Sequence, residues 1–121
     1  MTLDGKMLST GAAVKVIIHL NEDTSAGSDF LYAEIFQFLY SHGVSGATLL
    51  RPHASFGAHH QIHTAGAGLA AGEHLPVRIE FLEMSDVAER LLPKLCELVT
   101  DGVIESHPTT IVKAAAQRQA L

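Results

Sequence analysis

The sequence predicts an α+β domain in which a four-stranded antiparallel sheet carries two helices on one face. Three observations predict it. Two segments, VKVIIHL at 14–20 and LPVRIEFLE at 75–83, alternate their side chains with a period of two and are rich in β-branched and aromatic residues. Two others, DFLYAEIFQFLYSHG and DVAERLLPKLCELVTDG, repeat apolar residues at helical spacing and end on glycine. With two weaker strands the order is strand, helix, strand, long loop, strand, helix, strand. This βαββαβ order is the ferredoxin-like plan.

The elements follow in turn. In the first strand Val14, Val16, Ile18 and Leu20 share one face, and Lys15, Ile17 and His19 the other. NEDTSAGSD is a polar break in which Ser28 or Asp29 caps the first helix. That helix sets Leu31, Ile35, Phe38 and Leu39 on its apolar stripe, and Phe30, Tyr32, Phe36 and Tyr40 thicken it for core and subunit contact. GVSGATLLR resumes strand character as far as Arg51, before Pro52 weakens pairing. Residues 52–74 lose periodicity and fill with Gly, Ala and His, as a long loop or the tip of a mobile hairpin. The strand at 75–83 turns Leu75, Val77, Ile79 and Phe81 one way and Arg78, Glu80 and Leu82 the other. Ser85 is placed to cap the second helix, whose stripe is Val87, Leu91, Leu95 and Leu98. Pro93 removes a backbone donor there, which predicts a kink or an opened turn within one continuous helix. VIESHPTTIVKA is a last, weaker strand interrupted by Pro108.

The bulk numbers bound the function. The 121 residues fit one domain, and with 47% apolar residues a core forms without staples. A net charge of −5 argues against nucleic-acid binding and against a polybasic membrane surface. A single cysteine, Cys96, rules out an intramolecular disulfide and fits a reducing compartment. No leader-like apolar stretch opens the chain, and no run approaches the roughly 20 apolar residues that span a bilayer. The expectation is a cytoplasmic protein without membrane insertion. It has a flexible arm at 1–13, a domain at 14–112 and a tail at 113–121.

With the helices on one side, the opposite sheet face shows Lys15, Ile17, His19, Arg78, Glu80 and Leu82. That mixture is too apolar for free solvation and too charged for a second core. It predicts an interface between subunits of a closed oligomer.

Few residues offer chemistry. Arg51 can fork onto a phosphate or carboxylate, or pair with an acidic neighbour. Thr48 offers a hydroxyl on the same strand, but a period of two puts it on the opposite face from Arg51. Gly43 and Gly46 serve turn geometry, since no Walker lysine follows them. His59, His60 and His63 form HHQIH, and imidazole is a ligand for zinc, copper or nickel. His19 and His107 read as partly buried, hydrogen-bonded strand residues, and Cys96 as a small buried hydrophobe. No nucleophile has an evident base, so the chain reads as non-enzymatic.

The stretch GVSGATLLR…SFGAHHQIHT, followed by LPVRIEFLE and LLPKLCELV, resembles a known family. It is similar to the PII-like proteins of domain of unknown function 190. Their pattern Gly-x-x-Gly-Ala-Thr-x-x-Arg, Gly-Phe-Gly, Ile-His-Thr, Leu-Pro-Val is met by Gly43, Gly46, Ala47, Thr48, Arg51, Phe56, Gly57, Ile62, His63, Thr64, Leu75, Pro76 and Val77. The resemblance implies a trimer that binds a small effector, such as an adenine nucleotide, between subunits. The long loop after the second strand would then grip a partner protein. Thr48, Arg51, Phe56, Gly57 and His63 are the effector-binding candidates on this footing. A second implied reading is a divalent-metal protein like the CutA relatives, with His59, His60 and His63 as ligands. Pro52 and Ser55 stand where the family has glycine. The turn VTDGVIES, which in PII proteins carries basic residues for phosphates, has Asp101 and Glu105 and no base, which disfavours a triphosphate.

Overall fold

The computed structural model describes residues 7–27, 29–52, 54–55, 63–64 and 76–115, with only the backbone of 54–55 and 63–64. Strand β1 (Gly11–Asn21) contains the alternating run and extends three residues ahead of it. Composition places Gly11–Ala13 in the arm. They join the sheet because Ile111, Thr110 and Thr109 pair with their backbone, a non-local contact that propensity does not register. A small hairpin, β2 (Ser25–Ala26) with β3 (Asp29–Phe30), occupies the polar break. Helix α1 (Leu31–Ser41) follows.

The helix starts differ from the expectation. Phe30 holds the N-cap position of α1 without a side-chain cap, and the Asp29 carboxylate accepts from the Phe30 amide at 2.8 Å instead. Ser28 lies outside the described residues. The C-terminal end follows the sequence closely. Gly43 sits at φ 73°, its amide donates to the Tyr40 carbonyl, and the Val44 amide donates to the Leu39 carbonyl. This is the Schellman closure, with Val44 and Leu39 packed into the same core.

Strand β4 (Ala47–Leu50) is shorter than the segment that predicts it, since Gly43–Gly46 is spent on the turn. The loop that follows is a hairpin at its base: β5 (Ala54–Ser55) pairs antiparallel with β6 (His63–Thr64). Strand β7 (Pro76–Met84), helix α2 (Ser85–Leu98) and strand β8 (Val103–Ile111) complete the chain. Met84, not Ser85, is the N-cap of α2, again without a side-chain cap. The helix continues through Pro93 as one element.

The sheet order is β4-β7-β1-β8, and all neighbours are antiparallel. Beneath it, Val16, Ile18 and Leu20 of β1 and Val77, Ile79 and Phe81 of β7 form one cluster with Leu31, Ile35 and Leu39 of α1 and Leu91 and Leu95 of α2. Both helices therefore lie on the same side, as the strand alternation requires. Each of these side chains contributes about 1.5–3 kcal/mol by leaving water.

Three expectations are corrected. Pro108 does not interrupt β8, because β8 is an edge strand and an edge tolerates a missing ladder donor. Cys96 is exposed, one position off the buried stripe set by Leu91 and Leu95. The aromatic residues Phe30, Phe36 and Tyr40 are not in the core of the chain. They stay exposed, Tyr40 to 72%, because the stripe of Leu31, Ile35 and Leu39 already fills the space over the sheet.

Candidate functional site

The open face of the sheet is read directly from the register. One row is Leu50–Arg78–His19–Val103, the next is Thr48–Glu80–Ile17–Glu105, and the third is Leu82–Lys15–His107. Glu80 lies at the centre, where Lys15 Nζ is 3.6 Å away and the Arg78 guanidinium pairs with its other oxygen. Ile17 is buried beside it.

An open groove of about 710 Å³ lies at one end of this face. Gly46 and Thr48 come from the start of β4, Glu80 and Leu82 from β7, Lys15 from β1 and Lys113 from the chain just past β8. Thr48 and Glu80 are direct cross-strand partners, so a hydroxyl and a carboxylate stand side by side at one wall. Leu82 offers an apolar surface, and the two lysines offer positive charge. Such a groove suits a flat polar ring attached to an anion.

Behind this wall the turn between α1 and β4 is anchored. Glu83 is buried to 1% exposure, and its Oε1 accepts from the Ser45 hydroxyl at 3.0 Å and the Ser45 amide at 3.4 Å. Its Oε2 is buried without a hydrogen-bond partner.

On the far side, β8 adds a second cluster. Glu105 is bridged by two imidazoles: His19 Nε2 lies 2.5 Å from Oε2 and His107 Nε2 lies 2.6 Å from Oε1. Hydrogen bonds from His19 first and His107 second hold the Glu105 carboxyl below its ordinary value of 4.5. His19 and His107 are thus hydrogen-bonded strand residues, as expected, but only His19 is partly buried and His107 is exposed.

The sequence-predicted residues separate. Thr48 lines the groove, whereas Arg51 does not. Arg51 pairs with the Glu22 carboxylate, and its guanidinium carbon lies 6.0 Å from the centre of the Tyr32 ring. Its interaction is therefore with an acidic neighbour, one of the two roles open to it. Phe56, Gly57, His59 and His60 lie outside the described residues, and His63 is placed only by its backbone on β6. Among the described residues no group of three His, Cys, Asp or Glu side chains is arranged to hold a metal ion. The sequence alone does not mark Glu80, Lys15 or Lys113 as groove residues. Alternation placed Glu80 and Lys15 on the open face, but only the register sets Glu80 against Thr48.

The fold is that of the PII-like class of proteins. A nitrogen regulatory PII-like protein from Thiomonas intermedia K12, CPII, solved bound to ADP, AMP and bicarbonate, superposes with a TM-score of 0.63 at 16% identity, over 84% of this chain and 90% of that one. A putative PII-like signalling protein from Thermus thermophilus gives 0.60 at 17% identity, over 87% and 94%. Within that class the chain belongs to DUF190 (Uncharacterized ACR, COG1993), whose pattern matches residues 13–111. No helix among the described residues is long and apolar enough to cross a membrane.

Proposed function

We propose that this protein is a PII-like regulatory module that binds an adenine nucleotide in the groove of Thr48, Glu80 and Leu82. It self-associates through the open sheet face and contacts a partner protein through the hairpin arm that begins at β5. The observation that carries the reading is the Thr48–Glu80 pair at the groove wall. A carboxylate accepts from an exocyclic amine, and an adjacent hydroxyl donates to a ring nitrogen. Leu82 packs against the ring, while Lys15 and Lys113 meet phosphate. The similarity of fold to CPII, with its ADP and AMP, supports the same ligand class.

Closure by a second copy would complete the groove, which is open on one side in a single chain. An effector there would act by preferring one state of the arm over another.

Calorimetry and thermal shift against AMP, ADP, ATP and cyclic AMP test this. AMP or ADP is expected to bind and to raise the melting temperature, and Thr48→Val and Glu80→Gln are each expected to weaken binding by about tenfold, the equivalent of one net hydrogen bond. Absence of heat and of stabilisation with all four removes the nucleotide reading. Light scattering that shows a monomer at micromolar protomer removes the self-association.

A further inference from the structure

We propose that His19, Glu105 and His107 form an acid-sensitive latch on self-association: the open sheet face docks against second copies when both imidazoles are uncharged and releases them when both are protonated. The inference rests on the self-association reading above and goes beyond it, because that reading assigns the cluster no role.

The geometry is a carboxylate on the edge strand reached from two sides. Glu105 sits opposite Ile17, and His19 of β1 and His107 of β8 reach it from the neighbouring rows on either side. The charged groups that face the cluster are Lys15 on β1 and Arg78 and Glu80 on β7. Strand β4 adds Thr48 and Leu50, which carry no charge. With neutral imidazoles the two cations around the cluster, Lys15 and Arg78, balance the two carboxylates, Glu80 and Glu105, while Lys113 adds a further cation at the groove end of the face. A balanced cluster meets little Coulombic penalty when a symmetric copy covers it. Protonation of both histidines adds two positive charges to each face, and every contributing copy brings its own.

Glu105 cannot absorb this change by titrating first. Its carboxyl is held below the usual range, so it remains ionised while imidazoles gain protons. In a single chain His19 and His107 are about half exposed and water screens their charge. Only a docked second copy removes that water, so the cost of the added charge falls on the assembly and not on the protomer.

The long-range field acts in the opposite direction. The chain carries −5 with its eight histidines neutral, so acidification brings net charge toward zero and eases repulsion between copies. Net charge alone therefore predicts tighter association in acid, and the latch predicts weaker association. Within a Debye length of about 8 Å the local term governs.

Sedimentation velocity on the full chain, stepped from about pH 8 to about pH 5.5 at constant ionic strength, tests the proposal. The dissociation constant is expected to rise at least about tenfold across the range where histidine titrates. The double variant His19→Gln/His107→Gln keeps side-chain donors for Glu105 without titrating, and is expected to stay assembled in acid with less than about a threefold change. Glu105→Gln leaves an uncompensated cation and is expected to weaken assembly already at pH 8. A wild-type oligomer indifferent to pH, or a double variant that dissociates like the wild type, overturns the latch alone. A wild-type monomer at pH 8 overturns the self-association reading and the latch with it.

Discussion

Gly102 closes the turn from α2 into β8, and its replacement by alanine is the sharpest test of how that turn sits on the sheet. A Cβ built there lies 2.5 Å from the His19 carbonyl oxygen, 3.3 Å from Val99 Cγ1 and 3.4 Å from Leu20 Cβ. The oxygen belongs to the backbone of β1, an interior strand paired on both sides, so it cannot swing away as a side-chain tip would. The turn must open by about 0.5 Å before the contact reaches the 3.0 Å below which real Cβ atoms essentially never sit. The backbone there also has φ +156°, which side chains rarely adopt. Overpacking against fixed backbone costs about 1–3 kcal/mol and the unfavourable backbone about 1 kcal/mol more. Gly102→Ala is expected to lose about 3 kcal/mol, read by urea denaturation at fixed protomer concentration. Gly27→Ala is the control for backbone strain without a clash, because its φ is +68° with nothing within 4 Å, and about 1 kcal/mol is expected. Gly46→Ala has neither problem and is expected to fall within about 1 kcal/mol of wild type in the stabilising direction. A Gly102→Ala protein within about 0.5 kcal/mol of wild type, or one less affected than Gly27→Ala, refutes the reasoning.

Other outcomes follow from the same geometry. Ile79→Ala opens a cavity under the centre of the sheet, where Ile79 is fully buried, and is expected to cost about 2–5 kcal/mol in the same urea assay. Ser45→Ala takes a hydroxyl donor from the buried Glu83 carboxylate and is expected to cost about 1–3 kcal/mol, with a small loss of nucleotide affinity as Gly46 and Thr48 shift. Glu105 has a folded-state pKa below its unfolded value, so its stabilising contribution is present above pH 4.5 and disappears as pH falls through the lowered value. The urea midpoints of wild type and Glu105→Gln should therefore differ near neutral pH and converge in acid; a difference that grows in acid contradicts the pairing. Pro108→Ala is expected to change stability by less than about 0.5 kcal/mol, since an edge strand does not require the donor it would add.

What the sequence determined by itself is which side each strand residue faces. A period of two in Val14–Leu20 and Val77–Phe81, and a helical period in Leu31–Leu39 and Leu91–Leu95, separate buried from open positions because water excludes apolar side chains wherever the strand lies. The Gly43 stop was legible for a similarly local reason, a left-handed residue after the last helical turn. Tertiary structure alone decided who stands beside whom. Thr48 meets Glu80, and Glu105 meets His19 eighty-six residues away, through backbone register between segments that no local pattern links. The same cause drew Gly11–Ala13 into the sheet and let Pro108 remain in β8. It also left Phe36 and Tyr40 in solvent, since three aliphatic residues of α1 had already filled the space that the sheet offers. Periodicity is a property of one segment, whereas a site is a property of several, and the free energy that fixes their register is gained only when they meet.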